Sequence, residues 1–375
     1  MQHQNAPLTR EQLFDLSIEA GTRDLEPFTT ASVGRQRIME LADGSVQLGR
    51  VGEKCEAGEV FTRTLPERRR AAVARLQDGR RERAVRLEAG ESFRPAGLVL
   101  GSRPTLVTSL GRPRFGLSSR GTRTIMSESP HSTIIDGESR SLVYPDTFPY
   151  TAVCKLFCRW QQAPGGPWLN ESEATGYMIG RNTMMTSGHV GPRTGGAGWM
   201  IEVIPACWNG QSLFGPGAVS YVQSYHSWNS DSGSDIKICK LFDPLGDRTG
   251  FFGYRGYNSG WEDGEYWTMA GFPYDVSLTH MSHEVGIAVR DDDDGDDIKV
   301  DGTAYDTTQV ESDADEASGV SGAPLWGWWG DQVQAIGVHH GVERDGTIFG
   351  TETLSCASGG AGFTQAAAWG RRLWG

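Results

Sequence analysis

Between about residue 143 and residue 355, short apolar runs alternate with clusters of Gly, Pro, Asn and Asp. Tyr150–Phe157, Gly176–Ile179, Trp199–Ile204, Ile236–Leu241, Tyr266–Met269 and Val333–Val338 are runs of this kind. Segments of strand length with turn residues between them predict an all-β unit, a sandwich or a barrel. No internal repeat points to a propeller. The first 130 or so residues differ. Thr9 opens a short helical stretch, Arg37 to Val51 alternates around the turn pair Asp43-Gly44, and Thr64 and Glu67 have capping-box spacing with Pro66 in the first turn. This predicts a smaller α+β region ahead of the β unit, with residues 96–135 as a strand or two and a linker.

Composition sharpens the picture. Hydrophobic residues make up 38 % of 375, enough for a core. No apolar run approaches the roughly 20 residues that span a bilayer, so no membrane partner is expected. The first ten residues lack a basic segment followed by an apolar one and do not read as a secretory signal. Among the cysteines, Cys154 and Cys158 share a strand face and read as buried thiols rather than ligands; the spacing of the six suggests no zinc site.

Charge divides the chain. Residues 1–130 carry 21 Lys and Arg against 16 Asp and Glu, whereas residues 131–375 carry 14 against 31. Either a basic N-terminal region docks on an acidic domain, or two independent regions differ in composition. Acidic residues interleave with the N-terminal arginines, which argues against nucleic acid as a partner.

Three segments carry candidate chemistry. In Gly319-Val320-Ser321-Gly322-Ala323-Pro324 a serine is flanked by glycines, which let backbone approach a carbonyl group, and the N–H groups of Gly319 and Ser321 can converge as an oxyanion hole. Thr186-Ser187-Gly188-His189 follows an apolar strand and ends on an imidazole. Ser234-Asp235 enters the strand Ile236–Leu241. A hydroxyl is a poor nucleophile until a base removes its proton; His189 is such a base near neutral pH, and Asp235 fixes its tautomer. The order His, Asp, Ser is that of the chymotrypsin arrangement and not of subtilisin or the α/β-hydrolases.

With these residues in order, the stretch from about 133 to 355 resembles the bacterial glutamyl endopeptidases, a branch of the chymotrypsin-like serine proteases. Pro149-Tyr150-Thr151-Ala152-Val153, Gly176-Tyr177-Met178-Ile179-Gly180, Gly250-Phe251-Phe252-Gly253-Tyr254, Gly271-Phe272-Pro273 and Ile336-Gly337-Val338-His339 extend the likeness beyond the triad. The resemblance implies a double β-barrel and a serine endopeptidase acting on protein or peptide substrates without a cofactor. It also implies secretion, although no signal is visible. His339 matches the histidine that contacts an acidic P1 side chain in that family, so a preference for Glu or Asp at P1 is expected. Ile134-Ile135-Asp136-Gly137-Glu138-Ser139-Arg140 resembles the start of the mature enzymes. This divides the chain into a pro-region or accessory domain, 1–132, that can mask the protease domain, 133–375, with Arg123 as an alternative cut.

Some residues depart from the family. Glu316 stands where a small hydroxyl residue is usual, and Asp315 precedes it at the trypsin pocket-base position, which is also acidic in some glutamyl enzymes. Both are expected to line the substrate pocket, and carboxylates there repel an acidic P1 side chain. A basic or small P1 preference is therefore the alternative, and an inactive protease-like binding module a further one. Val320 excludes activation by a salt bridge between a new N-terminus and an aspartate at that place, and Val190 stands where many relatives have a cysteine. His340 is also unusual. Asp291-Asp292-Asp293-Asp294-Gly295-Asp296-Asp297 reads as a solvated acidic loop or a calcium loop, without the EF-hand spacing.

Overall fold

The computed structural model describes residues 137–375 apart from 162, 164–168, 192–197, 229–232, 278 and 348–349. Before them it describes 89–96 and 98 and strand segments at 29–33, 36–40, 46–50, 106–109, 125–129 and 132–135. The helices expected from Thr9 and Thr64 lie outside these residues. The pairing expected around Asp43-Gly44 is present: Gln36–Glu40 runs antiparallel to Val46–Arg50.

The protein is all-β over its described length, as expected, with one long helix. Six antiparallel strands close a barrel: β1 (Val153–Gln161), β2 (Leu169–Met178), β3 (Thr183–Thr186), β4 (Gly198–Pro205), β5 (Ser220–Trp228) and β6 (Ile236–Leu241), in the cyclic order β2-β3-β6-β5-β4-β1. Closure leaves no open edge. Barrel strands show apolar side chains to the interior, and Cys154, Leu156, Tyr177, Met184, Ile201 and Ile238 are fully buried. Cys154 and Cys158 are both buried, as their spacing predicts. Burial pushes the Cys239 thiol up to about 12, so this sulfur stays protonated and inert.

The second half is a larger sheet. Its main path runs β9 (Val289–Val300), β10 (Thr303–Ser312), β13 (Gly350–Gly359), β12 (Gln332–Thr347), β11 (Pro324–Trp329), β7 (Trp267–Gly271) and β8 (Ser282–Ile287), and continues through Ser141–Val143. Its core gathers Trp267, Val310, Leu325, Ile336 and Ala357. The acidic run is not a loop: Asp291–Asp297 lies inside the twelve-residue strand β9. Buried Val289, Ile298 and Val300 anchor both ends of that strand, and its partner β10 carries three threonines, a tyrosine and a valine, which suit a pleated surface. Asp301 and Gly302, with φ of 54° and 82°, make the tight turn joining β9 to β10.

The helix α1 (Gly360–Trp374) crosses from β10 to β6 and so ties the two halves together. Arg371 donates to the carbonyls of Ile179 and Phe252 and stacks on Phe251 and Tyr254, 4.9 and 4.7 Å from the ring centres. Burial lowers its guanidinium to about 10. Among the described residues no helix is long and apolar enough to cross a membrane.

Candidate active site

The histidine and the aspartate are set side by side by strand register. β3 pairs with β6 so that Thr186 faces Lys237. The residues just beyond that pair, Ser187-Gly188-His189 on one strand and Asp235 on the other, therefore emerge at the same end of the barrel. Asp235 holds His189 twice: Oδ1 accepts the His189 backbone N–H at 2.8 Å, and Oδ2 pairs with Nδ1 at 2.5 Å. With Nδ1 donating to the carboxylate, Nε2 is the basic nitrogen of the ring. Burial by itself would raise the Asp235 carboxyl, but the His189 imidazole beside it and its hydrogen bonds outweigh this and hold it below the usual carboxylate range. The loop carrying His189 is braced on both sides. Ser227 Oγ donates to the Gly188 carbonyl at 3.0 Å, and buried Lys237 donates to the carbonyls of Val190 and Gly191.

Ser321 sits between two glycines with positive φ, Gly319 at 100° and Gly322 at 90°. A Cβ on Gly322 would lie 2.0 Å from the Thr175 carbonyl, and one on Gly319 would lie 2.5 Å from that of Phe272. Both positions therefore require glycine for space as well as for dihedral angle. Among the described residues no protein acceptor takes the N–H of Gly319 or Ser321. Val320 is buried.

Thr175, on β2, is the residue that sequence reasoning passed over. Its N–H donates to the Ser321 carbonyl at 2.9 Å and its Oγ1 to the Gly319 carbonyl at 2.8 Å, while its Oγ1 accepts from the Phe272 N–H at 3.2 Å. Thr186 Oγ1, three residues before His189, donates to the Thr175 carbonyl at 2.7 Å. One barrel threonine thereby fixes the shape of the serine loop in the other half. A second joint is the His339 carbonyl, which accepts Ser187 Oγ at 2.6 Å and the Gly322 N–H at 2.7 Å. A threonine in a strand gives no sequence signal; only its place directly before Gly176 in the histidine segment hints at a role.

The expected pocket residues part company. His339 and Glu316 are both buried and face each other, Nε2 to Oε2 at 3.6 Å, and Ser355 Oγ lies 3.3 Å from His339 Nδ1. Asp315 turns away from them. Its Oδ1 accepts the Ile135 N–H at 2.8 Å, and its Oδ2 accepts both the N–H and the Oγ of Ser139 at 2.9 Å. Glu284 completes this anchor: its Oε2 accepts the Asp315 N–H at 2.7 Å, and its Oε1 lies 2.6 Å from Ser139 Oγ, whose single proton it shares with Asp315 Oδ2. Glu316 and Ala317 also pair with Thr133 and Ser132, so the segment resembling a mature N-terminus runs along the serine loop. Burial pushes the His340 imidazole down to about 3 against the pull of the Asp235 carboxylate, so it is neutral.

No family model matches the chain. An extracellular metalloprotease of Bacillus subtilis (strain 168) is 26 % identical over 163 residues, which cover 42 % of this chain. The chain spans about half the length of that curated relative, 50 %. Among solved structures, a Glu endopeptidase in complex with MPD aligns with 62 % of this chain and 97 % of its own, at 18 % identity and a TM-score of 0.45. A thermostable serine protease, AL20, from an extremophilic microorganism aligns with 60 % of this chain and 97 % of its own, at 14 % identity and a TM-score of 0.39. A closed barrel thus carries His189 and Asp235 at one end, and the loop leading into β11 of the second sheet carries Ser321, the two-part β layout that the chymotrypsin-like resemblance led one to expect.

Proposed function

We propose that the protein is a serine endopeptidase. Ser321 Oγ attacks the carbonyl carbon of a peptide bond while its proton passes to His189 Nε2. Asp235 orients the ring and stabilises the imidazolium, and the N–H groups of Gly319 and Ser321 receive the oxyanion. His189 then gives the proton to the departing amine, leaving an acyl-enzyme ester. Water, deprotonated by His189, hydrolyses the ester and regenerates the hydroxyl. The observation that carries this reading is the double grip of Asp235 on His189. No cofactor enters these steps.

For specificity, the proposal is an acidic P1 residue, with buried His339 as the imidazole that receives its carboxylate. A second reading, a basic or small P1 residue, is favoured by one contact: Glu316 already lies against His339. An extracellular setting is proposed along with the activity, in keeping with the name of the curated relative.

A fluorophosphonate probe tests the chemistry. Labelling at Ser321 with parallel loss of peptidase activity is expected. A protein that stays unlabelled, or that still cleaves peptides once Ser321 is blocked, as a metal-dependent hydrolase would, overturns the serine reading. Cleavage of a peptide library decides between the two specificities.

A further inference from the structure

Away from the triad, four polar side chains meet on one face of the second sheet. Asp293 and Gln309 are register partners across β9 and β10, and Glu311 stands two residues further along β10. Glu311 faces Cys356 on β13, while Glu343 on β12 faces Leu354, two residues before Cys356. The period of two in a strand puts all of these on the same side. Carboxylate oxygens of Asp293, Glu311 and Glu343 lie within 4.8 Å of one another. Glu311 and Glu343 are 1 % and 2 % exposed, and Gln309 3 %.

The amide of Gln309 lies among them. Its Nε2 donates to Glu311 Oε1 at 2.8 Å and to Glu343 Oε2. Its Oε1 is buried and accepts no hydrogen bond. Oε1 is the other end of the same planar amide, so a half-turn about the last side-chain bond brings it to the place that Nε2 holds between the two carboxylates. Carboxylates gathered away from water repel one another, and a buried carbonyl oxygen without a donor is a separate cost. A cation among them removes both. A half-turn of the amide exchanges its nitrogen and oxygen without changing the packing and turns Gln309 from a donor into a ligand.

We propose that Asp293, Gln309, Glu311 and Glu343 bind a hard divalent cation of the calcium type. Three carboxylates and an amide oxygen form an all-oxygen set, which suits calcium and lacks the nitrogen and sulfur that zinc prefers. Asp293 is only half-buried and marks the side of entry. The site also lies next to the triad's support. Gly295, two residues along β9, packs against Gly233 so closely that a Cβ on Gly233 would fall 2.5 Å from the Gly295 Cα. Gly233 precedes Asp235 by two residues. The cation would hold β9, β10 and β12 together on the sheet that carries Gly295 against Gly233.

Equilibrium dialysis of the full chain against calcium, with thermal unfolding in calcium and in chelator, tests this. One calcium per chain and a melting temperature higher in calcium are expected. Glu343→Gln and Glu311→Gln should abolish both effects, and Asp293→Asn should weaken binding about tenfold or more. If the buried variants fail to fold, Asp293→Asn at its half-buried position still reads out the site. Absence of binding and of any melting shift up to roughly millimolar calcium would overturn the proposal, as would binding unchanged in Asp293→Asn. Neither readout depends on peptidase activity.

Discussion

The Nε2 of His339 and the Oε2 of Glu316 lie 3.6 Å apart, both side chains almost wholly buried. The imidazole that would greet an acidic substrate already faces a carboxylate from its own chain. A second carboxylate brought into such a place meets like-charge repulsion worth several kcal/mol. Glu316→Gln should therefore raise kcat/KM for peptides with Glu at P1 by about 10–100-fold. Peptides with a basic P1 should lose turnover. Kinetics on matched Glu and Lys substrates measure both changes, and unchanged ratios would remove Glu316 from the pocket.

Asp235 links the site to pH. Its carboxyl is held below its ordinary range in the folded protein. The stabilisation this gives is fully present above the unfolded value of about 4 and is lost as pH falls through the depressed native value. The melting temperature should fall on acidification across that window, and Asp235→Asn should flatten the fall. The same variant should lose turnover on the order of 10⁴ near neutral pH, because the ring is left in the wrong tautomer.

Thr175 is expected to act as a positioning residue. Thr175→Val keeps the shape of the side chain and removes the hydroxyl that supports Gly319. A small displacement of the oxyanion donors should lower kcat by about 10–100-fold with little change in KM. Thr175→Ser, which keeps the hydroxyl, should recover most of the loss. Equal KM and kcat effects in both variants would point to general unfolding instead.

Asp315 should prove structural. Asp315→Ala removes the acceptors for the N–H groups of Ile135 and Ser139. Hydrogen bonds to a charged group contribute about 1.5–3 kcal/mol each, so exchange of these two amides should accelerate about tenfold or more. Hydrogen-exchange mass spectrometry reads this directly, and unaltered protection would show that the strand pairing at Thr133 suffices by itself.

The pairing of His189 with Asp235 and the glycine-flanked loop of Ser321 were legible in the sequence because each segment announces itself locally. Ser321 has its glycines, His189 its small residues after a strand, and Asp235 its strand entry. Spatial partners separated along the chain were not legible. Glu316 and His339 were both visible as pocket candidates, but not their mutual contact, and Asp315 looked identical in kind to Glu316 while facing the other way. The run Asp291–Asp297 looked like solvated loop because charge hides strand patterning; buried Val289, Ile298 and Val300 at its ends overrule it. The helix α1 was missed for a related reason. Gly360, Gly362 and Gly370 depress helix propensity, yet the packing needs the two inner ones: a Cβ on Gly362 would lie 2.6 Å from Thr307, and one on Gly370 2.7 Å from Ile238.

The His339 carbonyl takes one hydrogen bond from Ser187, on the barrel side, and one from Gly322, in the serine loop. A single oxygen atom is thus shared by the two halves of the molecule. The serine loop therefore has its full set of contacts only once both halves have met, and under the proposed activity the nascent chain carries a disarmed serine until then. Under the proposed activity, this delay would protect a protease from digesting itself while it folds.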